Sequence, residues 1–326
     1  MNTEARTNPI LYLVVPCYNE EEIIKDSMET LKKKLSSLTE QGIVHRDSRI
    51  LFVDDGSRDN TLQLLTDAAK KDPVFIVVSL VSNCGHQNAL LAGMMMSKKA
   101  DIVISIDADL QQDIDAVEAF IECYRNGAEV VYGVRNDRNT DGFFKKLTAS
   151  GYYGFMRAMG TSVIKNHADY RLVSSKVINA LSGYGENNLF LRGLIPTLGF
   201  PSDTVYFDVK ERTAGSSKYT LSKMIRLATD GITSFTTRPL RIISGMGLVV
   251  VLLSIVLSII SFVEWFQGKN VPGYTTLLLV ILFLSGTILL SLGVIGEYIG
   301  KIYLESKNRP RYIIDSVIMK DACDED

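Results

Sequence analysis

Residues 102–109 read IVISIDAD, a short apolar run that stops at two carboxylates, Asp107 and Asp109, one residue apart. A run of this kind, too short for a helix and rich in β-branched residues, reads as a strand buried on both faces, the sort found inside parallel sheets. The same pattern recurs upstream. Ile10–Pro16 (ILYLVVP) leads into Cys17-Tyr18-Asn19-Glu20, Ile50–Val53 leads into Asp54-Asp55-Gly56-Ser57, and Val74–Leu80 leads into the loop Ser82–His86. Helical stretches follow each run, to about Leu38, Lys71 and Met96. Asn19 and Asn60 are expected to cap the first two of these helices. A helix over Ile114–Arg125 and a fifth strand over Val130–Val134 complete the alternation. Strand and helix taking turns with short links predicts an α/β fold, a mostly parallel sheet with helices on both faces. Ligands of such sheets bind beyond the carboxyl ends of the strands, and the polar clusters all fall there.

The alternation lapses after about residue 135. Phe143–Met159 reads as an aromatic-rich helix, Asp169-Tyr170-Arg171-Leu172 follows a loop, and Leu221–Phe235 has apolar residues at helical spacing. That last stretch is expected to be an amphipathic helix lying in a membrane interface. Ile242–Val263 and Tyr274–Ile295 each carry no charged residue. Each makes about 33 Å of helix, enough to cross a hydrocarbon core of about 30 Å. The loop Glu264–Gly273 has one Lys and no Arg, whereas Arg238, Arg241, Lys301, Lys307, Arg309 and Arg311 flank the other side. The positive-inside rule puts both termini in the cytoplasm of a multi-pass protein of the plasma membrane. The polar start of the chain is not that of a secretory signal. The expected organisation is a cytoplasmic catalytic domain over 1–217, a juxtamembrane helix over 218–237, two spans within 238–296 and a cytoplasmic tail over 297–326.

Composition narrows the chemistry. Of 326 residues, 46% are hydrophobic and 22% charged, which excludes global disorder. A net charge of −2 argues against a general nucleic-acid binder. Four scattered cysteines and three histidines offer neither a zinc knuckle nor a disulfide framework, and fit a reducing compartment. No G-x-x-x-x-G-K-[ST] and no G-x-G-x-x-G after the first strand is present, so the glycine cradles of P-loop and dinucleotide sites are missing. Asp107 and Asp109 at a strand end suit a hard divalent cation, Mg²⁺ or Mn²⁺, bridged to phosphate oxygens. Asp54-Asp55-Gly56-Ser57 is either a capped turn or a group that accepts hydrogen bonds from a base or ribose.

Taken as an ordered set, these residues resemble family 2 of the inverting glycosyltransferases, with the Rossmann-like GT-A fold. The likeness is greatest to the bacterial polyprenyl-phosphate glycosyltransferases related to dolichol-phosphate mannose synthase. It is carried by Pro16-Cys17-Tyr18-Asn19-Glu20, Asp54-Asp55-Gly56-Ser57, Asn83 with Gly85-His86, Asp107-Ala108-Asp109-Leu110-Gln111, Asp169-Tyr170-Arg171-Leu172, Asn188–Gly193, Arg212–Tyr219, Gly293–Tyr303 and Arg309-Pro310. The resemblance implies that Pro16, Tyr18, Glu20, Asp55, Asn83 and Asp107 line the nucleotide-sugar. It implies that Asp107, Asp109 and Gln111 hold the metal and diphosphate. Asp169 falls where such enzymes place a general base, and Arg192, Arg212 and Lys218 fall at the mouth of the active site. Arg171, Arg212, Ser217 and Lys218 are the implied contacts of an acceptor phosphate. Gln112-Asp113 stands where many relatives have Asp-Pro-Pro, a departure expected to touch only the start of the next helix. The lone tryptophan, Trp265, is not part of the Q-x-x-R-W signature of processive synthases, which favours transfer of a single sugar.

The implied reaction moves one sugar from a nucleotide-sugar to undecaprenyl phosphate or a similar lipid. UDP-glucose, UDP-N-acetylglucosamine and GDP-mannose all stay open as donors, with a UDP-sugar preferred. A phosphate monoester with a second pKa of about 6 is mostly dianionic at neutral pH and needs no base. Asp169 is therefore expected to orient its neighbours more than to take a proton. Alternatives are transfer to another lipid such as diacylglycerol, or an inactive membrane scaffold. Self-association through the spans, at Gly245 and Gly247, stays open.

Overall fold

The computed structural model describes residues 6–136, 167–185, 191–208 and 273–320, with scattered positions between 240 and 267. The expected helices over 143–159 and 221–235, together with Arg212, Ser217, Lys218 and Arg238, lie outside the described residues.

β1 (Leu11–Cys17) is buried along its whole length. Its side chains alternate between two cores: Leu11, Leu13, Val15 and Cys17 enter one, and Tyr12 and Val14 the other. This period of two is the reason a continuous apolar run specifies a central strand. β2 (Arg49–Asp54) and β4 (Ile102–Ser105) flank it, both parallel, and β3 (Phe75–Leu80) pairs with β2 in parallel. The first core is covered by α1 (Ile24–Glu40), α2 (Thr61–Lys71) and α4 (Ala116–Arg125). The second is covered by α3 (His86–Met96), α5 (Ser175–Ser182) and α6 (Leu191–Thr197). The helices thus lie on both faces, as the alternation predicts.

The full order is β7-β5-β6-β4-β1-β2-β3-β8. β5 (Val130–Arg135) and β7 (Ser202–Phe207) run with the central strands, while β6 (His167–Ser174) runs against its neighbours β4 and β5. The chain passes from β1 outward to β3, then returns to place β4 on the other side of β1. This reversal makes a topological switch point between β1 and β4, where open α/β sheets bind ligands. β6 was not legible as a strand, because Asp169, Tyr170 and Arg171 are all buried and leave no alternation of apolar and polar residues.

The expected tail is corrected. Residues 297–306 continue α7 (Tyr274–Ser306), and β8 (Ile314–Ile318) pairs antiparallel with β3 at the edge of the sheet. The chain divides into two compact units, and among the described residues 309–320 belong to the sheet unit while 273–308 belong to the other. α7 has 33 residues. Its stretch Phe283–Ser306 is the one helix among the described residues long and apolar enough to cross a membrane, with mean hydropathy 1.5 and none of it buried within the chain. Phe283, Leu289 and Ile302 are each about two-thirds exposed. The described positions from Ile242 to Val263 are helical, but no continuous helix is described there.

Gly133 sits where the pairing of β5 with β6 shifts register. A Cβ on it would stand 2.6 Å from the Tyr170 carbonyl oxygen and 3.2 Å from the Phe120 ring. Replacing Gly133 by Ala should therefore cost about 1–3 kcal/mol through overpacking. A lowered thermal midpoint of the full-length protein is the expected result, and an unchanged midpoint would show that the strand yields freely.

Candidate active site

Three loops meet at the carboxyl edge of β1, β2 and β3. The Asp55 N–H donates to the Cys17 carbonyl at 2.9 Å. Asn19 takes a left-handed backbone, φ 55°, which Asn tolerates better than most residues. Its N–H donates to Ser57 Oγ at 3.0 Å, and its own Oδ1 accepts from the Arg58 N–H at 2.8 Å. Asn19 is therefore a clasp between two loops and not the helix cap expected, since the capping position of α1 is Ile23. Asn60 does occupy the capping position of α2 but makes no side-chain cap; Asp59 Oδ1 accepts the Thr61 N–H instead. Gly56, at φ 67°, lets this loop touch the next one, because a Cβ there would lie 2.8 Å from the Asn83 nitrogen.

Asp55 is 3% exposed. Its Oδ1 accepts the Cys84 N–H at 2.8 Å and its Oδ2 accepts the Gly85 N–H at 2.9 Å. The carboxylate shapes the loop after β3, and anything it offers a ribose must use its remaining lone pairs. Tyr18 and Asn83 are exposed on the same rim. Pro16, expected to line the nucleotide, is buried within β1 opposite Val53.

After β4 the chain turns sharply. Leu110 is held at φ 46°, a strained conformation for Leu. Asp109 is exposed and its Oδ1 accepts the Gln111 N–H at 3.2 Å, while Gln111 is half-buried. Asp107 has both oxygens engaged. Oδ1 lies 3.0 Å from His86 Nε2, and Oδ2 accepts a short hydrogen bond from Gln112 Nε2. Burial and the nearby Asp109, Asp59 and Asp107 push the Glu20 carboxyl above its usual range. That crowding of negative charge, from hard oxygen donors, fits a divalent cation. No group of three ligating side chains stands ready among the described residues. Two carboxylates completed by substrate phosphate oxygens are the usual arrangement for Mg²⁺. Gln112 is 2% exposed and donates to the Asp107 carboxylate, so the departure at this position reaches the rim residue Asp107 and not merely the start of α4.

Asp169 lies beside this edge because β6 pairs antiparallel with β4, Ser105 opposite Arg171. It is 7% exposed. Oδ1 accepts from Arg171 and from Arg192 Nε at 3.0 Å; Oδ2 accepts from Arg192 Nη2 at 2.7 Å and from Gln87 Nε2 at 3.0 Å. Burial alone would raise its pKa, but Arg171, Arg192 and His86 outweigh burial and hold the carboxyl well below the usual range. His86 Nδ1 is 3.9 Å from Asp169 Oδ2, so one imidazole sits between Asp107 and Asp169. Arg171, expected to touch an acceptor phosphate, is wholly buried beneath Asp169 and exposes nothing to a ligand. Arg192 is part-exposed. His86, Gln87 and Gln112 were not foreseen as site residues. His86 stands within a motif of the family resemblance and Gln112 at a departure from it, but Gln87 has no signal beyond nearness to a strand end, which does not tell a polar residue that reaches a site from one that faces water.

Replacing Asp55 by Asn puts an amide N–H₂ against a backbone N–H and leaves that donor unpaired, at a cost of about 1–3 kcal/mol. Hydrogen exchange across 82–88 should then speed up roughly 10–100-fold. Unchanged exchange would mean that the loop holds its shape without the carboxylate.

Comparison with known proteins supplies the family. The family described as glycosyl transferase family 2 matches residues 12–182, and the GtrB C-terminal hairpin matches residues 238–302. An uncharacterized glycosyltransferase of Bacillus subtilis (strain 168), YkoT, is 45% identical over 95% of this chain and 92% of its own length. The bactoprenol glucosyl transferase of Shigella phage SfV is 39% identical over 93% of this chain and 97% of its own. Among solved structures, glucosyl-3-phosphoglycerate synthase from Mycobacterium tuberculosis, in complex with Mn²⁺, UDP and phosphoglyceric acid, is a distant likeness. It is 18% identical, with a TM-score of 0.46 over 71% of this chain and 78% of its own. The chain belongs to glycosyl transferase family 2 and is a glycosyltransferase on a GT-A-like α/β sheet.

Proposed function

We propose that this glycosyltransferase moves one sugar from a UDP-sugar, UDP-glucose or UDP-N-acetylglucosamine, onto the phosphate of a polyprenyl lipid such as undecaprenyl phosphate, with inversion. The observation that carries the reading is the side-by-side placement of an anionic edge at Asp107 and a part-exposed guanidinium at Arg192 held by Asp169, with His86 between Asp107 and Asp169. The first suits a nucleoside diphosphate with its cation, and the second suits the phosphate of an acceptor. Relatives named for bactoprenol glucosyl transfer match along nearly the whole chain, which supports the lipid acceptor.

Asp107 and Asp109, with Gln111, would hold Mg²⁺ or Mn²⁺. The ion, when bound, neutralises charge on the departing diphosphate. Tyr18 and Asn83 offer exposed surface to the nucleotide, with Glu20 and Asp55 beneath. Asp169 fixes Arg192 through two parallel hydrogen bonds, a fork geometry that holds a part-exposed guanidinium at the rim, where it would meet a phosphate. The acceptor dianion attacks the sugar C1 from the side opposite the diphosphate, so an α-linked donor gives a β-linked product. No proton leaves the nucleophile, and Asp169 acts by orientation. Arg171 props Asp169 from below. Arg212, Ser217 and Lys218 complete the mouth of the site on the strength of the family resemblance.

The sheet supports an even number of membrane crossings. β7 ends at Phe207 and β8 begins at Ile314, and both belong to one sheet. A chain that leaves and rejoins the same side of a bilayer must cross it an even number of times. If α7 crosses once, the Ile242–Val263 stretch supplies the second crossing. Arg and Lys around the hairpin then put the sheet in the cytoplasm.

Purified full-length protein in detergent should form a glycolipid from undecaprenyl phosphate and one radiolabelled donor of a UDP-glucose, UDP-N-acetylglucosamine and GDP-mannose panel. Equal transfer to diacylglycerol would reject the acceptor assignment. Asp109→Ala should reduce transfer to background, and full activity in excess chelator would reject the cation.

Asp169→Asn tests the orienting role. Its single-turnover rate should fall roughly 10²-fold, the cost of a misplaced reactant. That loss should be similar from about pH 5.5 to 8.5, on both sides of the acceptor pKa of about 6. The sign follows from the lowered Asp169 pKa: the native carboxylate stays ionised throughout this window, so nothing about it titrates there. A loss confined to low pH would instead mark a proton acceptor.

A further inference from the structure

We infer that Gln112 is a positioning residue that sets the affinity of the divalent-cation centre, by holding Asp107 from behind without adding charge. The inference rests on the cation reading of Asp107 and Asp109 given above.

Three observations carry it. Gln112 is buried, and its Nε2 donates to Asp107 Oδ2 while His86 Nε2 meets Oδ1 at 3.0 Å. A carboxylate has about four lone-pair directions, so one donor on each oxygen fixes the plane of the group and leaves its outer lone pairs for a ligand. Donors behind a ligating carboxylate commonly decide how well it binds metal. Second, Gln112 Oε1 is buried with no hydrogen-bond partner among the described residues. An orphaned amide oxygen costs about 1–3 kcal/mol. Its place beside the cation edge gives that cost a reason, since a bound cation would supply the missing positive field. Third, the surroundings are already crowded with negative charge from Glu20, Asp59, Asp107 and Asp109. An acidic side chain at 112 would face Asp107 as a like charge. The amide supplies the donor that Asp107 needs and keeps the centre one charge less negative.

The test is Mn²⁺ binding by full-length protein in detergent, followed by the spin-resonance signal of free Mn²⁺, with and without UDP. Gln112→Met keeps the length of the side chain and removes the donor. It should raise the Mn²⁺ Kd about 10–100-fold, as loss of such a supporting contact does. Its metal-free thermal midpoint should stay near that of the unaltered protein. An unchanged Kd, with binding still lost in Asp109→Ala, overturns the role of Gln112 and leaves the cation reading standing. Failure of the unaltered protein to bind Mn²⁺ overturns both. If the Met variant does not fold, Gln112→Asn carries the test. Its amide is one methylene shorter and no longer spans to Asp107 Oδ2, so the Mn²⁺ Kd should again rise about 10–100-fold. An unchanged Kd overturns the inference.

Discussion

A buried carboxylate is tolerated only where cations and donors surround it, and Asp169 meets that condition from three elements at once. Arg171 comes from its own strand, Gln87 from the first turn of α3 and Arg192 from the first turn of α6. Breaking such a pair typically costs about 3–5 kcal/mol, because it strands the partner charge. The three elements are thereby pinned to one another at the edge of the sheet. The site inherits its shape from that pinning. Gln87 also accepts the Leu191 N–H through Oε1, so the start of α6 is fixed by both ends of one amide.

The donor side is built on a different plan. There the loops after β1, β2 and β3 hold one another through side chains that satisfy backbone N–H groups: Asn19, Ser57 and Asp55 each do so. Such contacts are directional and short in reach, so they set loop geometry without burying much charge. Leu110 and Asn19 carry left-handed backbones on this edge, and strain of that kind persists only where neighbours over-determine it. The two plans meet at His86. Its imidazole touches the Asp107 carboxylate and approaches Asp169, so its pKa is raised by both although burial would lower it.

The C-terminal strand has a structural consequence beyond its own pairing. β8 covers the edge of β3, which would otherwise present an open row of backbone groups. Ile314 and Ile318 pack against opposite cores, one on each face of the sheet. The sheet is completed by residues that follow the apolar helix in the chain, so the edge of β3 is covered by a strand distant from it in sequence.

Local pattern was enough for the central sheet. β1 to β5 and their helices were legible because each strand is a short apolar run and each ends at polar residues, a pattern that survives without knowing the neighbours. The rim location of Asp55, Asp107 and Asp109 followed from the same logic. β6 was not legible, because its strand is paid for by an ion pair instead of an apolar face, and β8 was not, because an edge strand half in water carries only a weak alternation. Which polar residue does what was decided by tertiary structure. Asn19 clasps loops, Pro16 and Arg171 are buried, and Gln112 reaches the Asp107 carboxylate, because each depends on a partner between 5 and about 40 residues away or on a strand inserted from elsewhere. Sequence order determines which residues stand at the strand tips; only the folded sheet determines which of those tips face one another, since hydrogen bonds and charge pairs depend on distance in space and not on distance along the chain.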